Sequence, residues 1–193
     1  MFRLYSPRKT DQIIMRLEPV IRRVSSDYQV PEDVIRAVLF REIKEIDLFD
    51  VIADRIVRSP VLSSWFHRTD SSTGYGQIFA WVAINALHFA ETQGIENAEN
   101  ISLSADHVYD KDSPGDRRLM WMKLNSDREF NLRMSVLNLL SCAFEMTGKT
   151  VFSAMNEEEL KLTLSRYNAN TKRITAYGEE TYGYYLKYLQ GEI

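Results

Sequence analysis

Val34-Ile35-Arg36-Ala37-Val38-Leu39-Phe40-Arg41-Glu42 places apolar side chains at 34, 35, 38 and 39, with Ile43 next, the three-and-four spacing of a helix buried along one face. Pro31 suits the first helical turn, where its missing N–H costs nothing, and Glu32 and Asp33 complement the positive end of the helix dipole. The segment therefore delivers a single glutamate, Glu42, near the C-terminal end of an otherwise apolar helix.

Outward from this segment the period stays helical, and the two-residue alternation of strands is hardly seen. Upstream, Asp11 to about Ser26 sets Ile13, Ile14, Leu17, Ile21 and Val24 on one stripe, with Pro19 expected to kink or split it. Downstream, an amphipathic piece from about Leu48 to Val57 ends at Ser59-Pro60, and Asp70-Ser71-Ser72-Thr73-Gly74-Tyr75-Gly76 reads as a loop. Gln77 to about Thr92 is apolar nearly all round, which predicts a central, buried helix. Residues 95–117 are polar and loop-rich. A long helix is expected from about Asp127 to Thr147, closed by Gly148, and Met155-Asn156-Glu157-Glu158-Glu159 opens another that ends in Arg166-Tyr167-Asn168. Tyr177 to Leu189 is the final helix, its tyrosines expected to pack. The prediction is one all-α domain over residues 1–193, with residues 1–9 a flexible N-terminal segment.

Composition fits that picture: 45% hydrophobic and 26% charged residues in 193 are enough for one substantial core. A formal net charge of -3 and a pI near 5.7 argue against a nucleic-acid binder, which needs a basic face for phosphates. No apolar run is long enough to span a bilayer, and no export signal is evident, so a removed leader, cell lysis, dedicated secretion and membership of a larger chain all remain open. Cys142, the single cysteine, lies in an apolar run and reads as a buried small hydrophobe. His67, His88 and His107 are widely spaced and far from it, which argues against a zinc site, and no cofactor motif is present.

Three segments in order carry the chemistry: the helix ending in Glu42, the loop Gly74-Tyr75-Gly76-Gln77-Ile78, and Tyr167-Asn168-Ala169-Asn170. In these the chain resembles the lysozyme-like superfamily, most closely the lytic transglycosylases and more distantly the goose-type lysozymes. That family has a catalytic glutamate at the end of an apolar helix, a Gly-Leu-Met-Gln type loop opening the next core helix, and an Ala-Tyr-Asn-Ala-Gly type motif downstream. Two further segments keep the register: Asn131 to Gly148 as the long helix before the third motif, and Ile174-Thr175-Ala176-Tyr177-Gly178 after it. The resemblance covers about residues 16–190. It implies a lysozyme-like helical domain with an active-site cleft, acting on peptidoglycan glycan strands between N-acetylmuramic acid and N-acetylglucosamine.

By that resemblance Glu42 is the catalytic acid/base. Gly74, Tyr75, Gly76 and Gln77 line the substrate cleft, and Tyr167 and Asn168 lie beside the glutamate or the sugar. Such an acid must stay protonated near neutral pH, which apolar burial favours. In the lytic route the same carboxylate then takes the proton of the sugar's C6 hydroxyl, so one carboxylate suffices. A hydrolytic muramidase needs a second one about 5–9.5 Å away, and Glu45, Asp47, Asp50, Asp54 and Asp70 are candidates, each read first as a solvated surface group. A non-catalytic glycan-binding or structural module on the same scaffold is the other alternative. Trp81 reads as core. Three features depart from the family: Ile43 stands where many members have serine after the glutamate, an insertion falls around Ile56 to Asp70, and Asn170 replaces a glycine, with left-handed geometry still open to it.

Overall fold

The computed structural model describes residues 3–95 and 107–193, and among these the fold is all-α: nine α-helices and one short 3-10 turn at Phe152–Ala154. The helices are α1 (Pro7–Tyr28), α2 (Glu32–Glu45), α3 (Leu48–Arg58), α4 (Pro60–Trp65), α5 (Ala80–Thr92), α6 (Pro114–Ser126), α7 (Arg128–Thr147), α8 (Glu157–Asn168) and α9 (Ala176–Gln190). No helix in the described part is long and apolar enough to cross a membrane. Of the polar, loop-rich stretch expected at residues 95–117, residues 96–106 lie outside the described residues.

Local chemistry sets the helix ends. Asp47, Asp127, Asn156 and Thr175 each accept a backbone N–H of the first turn, and Asn156 with Glu159 forms a reciprocal capping box. Gly148 ends α7 in a left-handed conformation.

The hub of the bundle is α7 rather than the segment that starts at Gln77. Met134 through Leu140 is buried without a break, and α7 packs against α1, α5, α6 and α8. α5 begins only at Ala80, packs against α7 and α6, and buries Ala80, Ala83, Ile84, Ala86, Leu87 and Ala90, while Trp81 is 45% exposed. Small alanines let the two axes approach closely.

One expectation near the N-terminus is corrected. Pro19 does not split α1, which runs unbroken from Pro7 to Tyr28. Its side is exposed, and Ile13, Ile14, Leu17, Ile21 and Val24 anchor both halves of the helix in the core. Within the expected N-terminal segment the Leu4 amide donates to the Ile46 carbonyl (2.9 Å), Arg3 pairs with Glu45 (2.7 Å), and Ser6 caps a helix that starts at Pro7. Two helices go beyond the sequence expectation. α4 sits in the expected insertion. α6 carries Met120, Trp121 and Leu124 into the core.

Candidate active site

A cleft of about 550 Å³ opens between the C-terminal end of α2, the start of α3, the loop before α5, one face of α7 and the end of α8. Glu42, Gln77, Tyr167 and Asn168 all line it, so three separated segments converge on one cavity. Phe49, Phe79 and Trp81 add exposed aromatic surface, and Cys142 contributes to the α7 wall. Its thiol is pushed up to about 12 by burial, which leaves it protonated and unreactive.

Glu42 keeps some accessible surface towards the cleft, but its carboxyl is surrounded by protein atoms. That desolvation raises its pKa from 4.5 to about 7. Opposing it are a hydrogen bond from the Tyr177 hydroxyl to Glu42 Oε1 and the nearby Arg41 charge, while Glu45 and Asp50 push it further up. The Tyr177 hydroxyl, itself buried, is raised well above its usual value by burial and by the carboxylate it faces. It therefore serves as a fixed donor. Arg41 lies over the Tyr177 ring at 5.1 Å and is held by Glu45 and Glu180.

Tyr177, expected only to pack, makes the closest contact to Glu42. Its position depends on Gly178: a Cβ there would lie 2.0 Å from Ser165 Oγ and 2.6 Å from the Lys161 carbonyl, so only glycine lets α9 sit this close to α8. Ile43 is fully buried and faces away from any supporting role, so the donor that steadies Glu42 comes from α9.

The glycine loop is a tight hairpin in which Thr73 and Ile78 exchange backbone hydrogen bonds (3.2 and 3.3 Å). Gly74, Tyr75 and Gly76 are not part of the cleft lining. A Cβ on Gly76 would lie 1.9 Å from Ser135 Oγ, and one on Gly74 2.2 Å from Asn131 Nδ2. The glycines thus let the loop press against α7. Asn131, only 1% exposed, fastens the loop by accepting from the Gly76 amide (2.9 Å) and donating to the Thr73 carbonyl (3.0 Å). Tyr75 lies under Arg128, 5.8 Å from its guanidinium. Gln77 has φ +45° and donates its side-chain amide to the Gly74 carbonyl (2.8 Å), which leaves the amide oxygen at the cleft wall.

Tyr167 does not bond Glu42. Its hydroxyl donates to the Gly76 carbonyl (2.9 Å), tying the end of α8 to the hairpin across the cleft floor. Burial raises its pKa, with the Glu42 charge as the second cause. Asn170 is not left-handed; among non-glycine residues described, that geometry belongs to Gln29, His67 and Gln77.

The five other acidic candidates are not solvated surface groups. Asp47 is 2% exposed and caps α3, Asp50 accepts from the Asp47 amide (2.9 Å), and Glu45 pairs with Arg3 and Arg41. Asp54 accepts from Ser71 (2.9 Å), Thr73 (3.0 Å) and Asn125 (3.2 Å), and Ser71 in turn accepts from Trp121 Nε1 (2.9 Å). Asp70 accepts from the amides of Ala80 and Trp81 at the start of α5. Each carboxylate already performs a structural task. Among the described carboxylates Glu42 alone combines a raised pKa with a place on the cleft wall. Among the described residues no cluster of His, Cys, Asp and Glu could hold a metal ion.

No family model, curated protein or solved structure significantly matches the chain.

Proposed function

We propose that this chain is a lysozyme-like enzyme that cuts peptidoglycan glycan strands between N-acetylmuramic acid and N-acetylglucosamine by the lytic route, with Glu42 as its single acid/base. The observation that carries the reading is the environment of Glu42: a carboxyl protonated near pH 7, on a cleft wall, hydrogen-bonded by one fixed phenol. The sequence motifs around Gln77 and Tyr167 lie on the same cleft.

In this reaction Glu42 gives its proton to the glycosidic oxygen as the bond to C1 breaks. The resulting carboxylate takes the proton of the C6 hydroxyl as that oxygen attacks C1, closing a 1,6-anhydro ring and restoring the acid. Tyr177 holds the carboxylate through both steps and, staying protonated, does not compete for the proton. Gln77 and Asn168 supply hydrogen-bonding groups for the sugar, and Trp81 and Phe49 supply faces on which a pyranose ring can stack. No water is activated, so no second free carboxylate is needed, in keeping with the structural engagement of Glu45, Asp47, Asp50, Asp54 and Asp70.

Digestion of purified sacculi with the wild type and with Glu42→Gln, followed by mass spectrometry of the released muropeptides, tests this. Anhydro-muropeptides from the wild type alone are expected. Reducing ends would indicate hydrolysis instead, and no release would point to a non-catalytic glycan-binding module.

A further inference from the structure

α3 is amphipathic in the reverse sense. Its carboxylates face the protein: Asp50 closes the N-terminal cap, and Asp54 is held by Ser71, Thr73 and Asn125. Leu48 and Ile52 on it face solvent, 56 and 44% exposed, while Phe49 belongs to the cleft wall. α4 extends this surface through Val61 and Trp65, 71 and 80% exposed and one turn apart on the same helix face, and through Phe66 just after it, 60% exposed. Only Ala53, Val57 and Ser63 of the two helices are buried, and the main helix contact that each makes is with the other. Large apolar side chains grouped on two successive helices and open to water mark an interaction surface.

Arginines are the exposed charges of these two helices and the turn after them. With its carboxylates consumed inside, the hairpin presents Arg55, Arg58 and Arg68, all exposed and none in a salt bridge among the described residues. Arg58 donates to Asn125 and Arg68 to the Asp70 carbonyl, so neither guanidinium is tied to a carboxylate by a direct ion pair, although the Asp54 carboxylate feels the Arg58 charge. The whole chain carries -3, so the positive character is local to this apolar tip. Aromatic side chains that can sit between headgroups, flanked by arginines that can meet phosphates, are complementary to a bilayer with anionic lipids. We propose that the α3–α4 hairpin is a docking surface for an anionic lipid bilayer, with Trp65 and Phe66 entering the headgroup region and Arg55, Arg58 and Arg68 on lipid phosphates. The surface does not depend on Glu42 being catalytic.

Co-sedimentation of the full chain with phosphatidylglycerol–phosphatidylcholine vesicles, against phosphatidylcholine alone, tests it. Binding is expected to the anionic vesicles and to weaken with added salt. Trp65→Ser combined with Phe66→Ser, and separately Arg55→Glu, should each weaken it roughly tenfold or more, with unchanged helicity and melting temperature because these side chains are exposed. The proposal is overturned if the wild type ignores anionic vesicles at low salt, or if both variants bind as well as it does. A concentration-dependent dimer in sedimentation that Trp65→Ser abolishes would also overturn it, by assigning the surface to a second copy of the chain.

Discussion

Replacing Glu42 with glutamine changes the charge at the cleft while keeping its shape, and the stability of the two proteins should diverge with pH in a calculable way. Burial lifts the carboxyl from 4.5 to about 7. A rise of roughly 2.5 pK units corresponds to ~3 kcal/mol between the protonated and ionised forms. Because the folded pKa lies above the unfolded one, the unfolded chain releases this proton more readily. The contribution of the protonated group to stability is full below about pH 4.5 and is lost as pH rises through about 7. Glutamine has no such loss, and its amide oxygen can still accept from Tyr177. The two proteins should therefore be similar at pH 4.5, while at pH 8 Glu42→Gln should be more stable by ~2–3 kcal/mol, or ~5–10 °C in melting temperature for a domain of this size. Paired urea melts across this range measure the difference directly, since every other titrating group cancels between the two proteins. A stability difference that does not change with pH, or a wild type that is the more stable at pH 8, would refute the desolvated carboxyl on which the proposed chemistry rests.

Other consequences arise from the same contacts. The rate of the proposed glycan cleavage should fall as pH rises through about 7, because the proposed proton donor is lost there; a rate that climbs steadily from pH 6 to 9 would contradict this. Tyr177→Phe removes the donor that lowers the Glu42 pKa, so it should move that alkaline limb to higher pH and slow the reaction roughly tenfold or more, as read from pH–rate profiles. Gly76→Ala forces a methyl group against both Oγ and Cβ of Ser135, so turning the hydroxyl aside does not relieve it; a loss of ~1–3 kcal/mol in urea melts is expected. Asp54→Ala strands the donors of Ser71, Thr73 and Asn125 and should cost ~2–4 kcal/mol, with faster proteolytic cleavage between α3 and the hairpin as the local signature.

The parts of the fold that are legible in the sequence are those where local chemistry and burial agree. α2 and α8 carry acidic first turns and periodic apolar faces, and α7 adds a glycine stop, so their existence and ends can be read from the sequence alone. α6 is hidden because Ser113-Pro114-Gly115-Asp116 carries two residues that ordinarily mark a turn. Here Ser113 is the cap, Pro114 occupies the first helical turn and Asp116 complements the dipole, and the glycine is tolerated because Met120, Trp121 and Leu124 anchor the rest of the helix in the core. α5 misleads in the opposite direction. An apolar run can be buried all round, or it can bury a stripe of alanines and expose its aromatic residues to a cleft, and the run alone does not distinguish the two. Trp81 belongs to the second case.

The site is legible where a residue has to occur at the end of an element, and hidden where it has to meet another element. Glu42 closes an apolar helix, and Tyr167 and Asn168 close another, so chain order gives them away. Tyr177 lies 135 residues from Glu42, among several tyrosines of one helix, and nothing in its neighbourhood distinguishes a donor from a packing ring. The one signal is Gly178 beside it. A glycine within a helix costs about 1 kcal/mol against alanine, and the cost is sustained where two backbones must come close. At Gly178 the close approach of α9 to α8 is what carries the phenol to the carboxyl. The same reasoning applies to Gly74 and Gly76, whose partner is α7. In each case the residue without a side chain marks a close contact between elements, and the chemistry lies one position away: Tyr177 before Gly178, and Gln77 after Gly76.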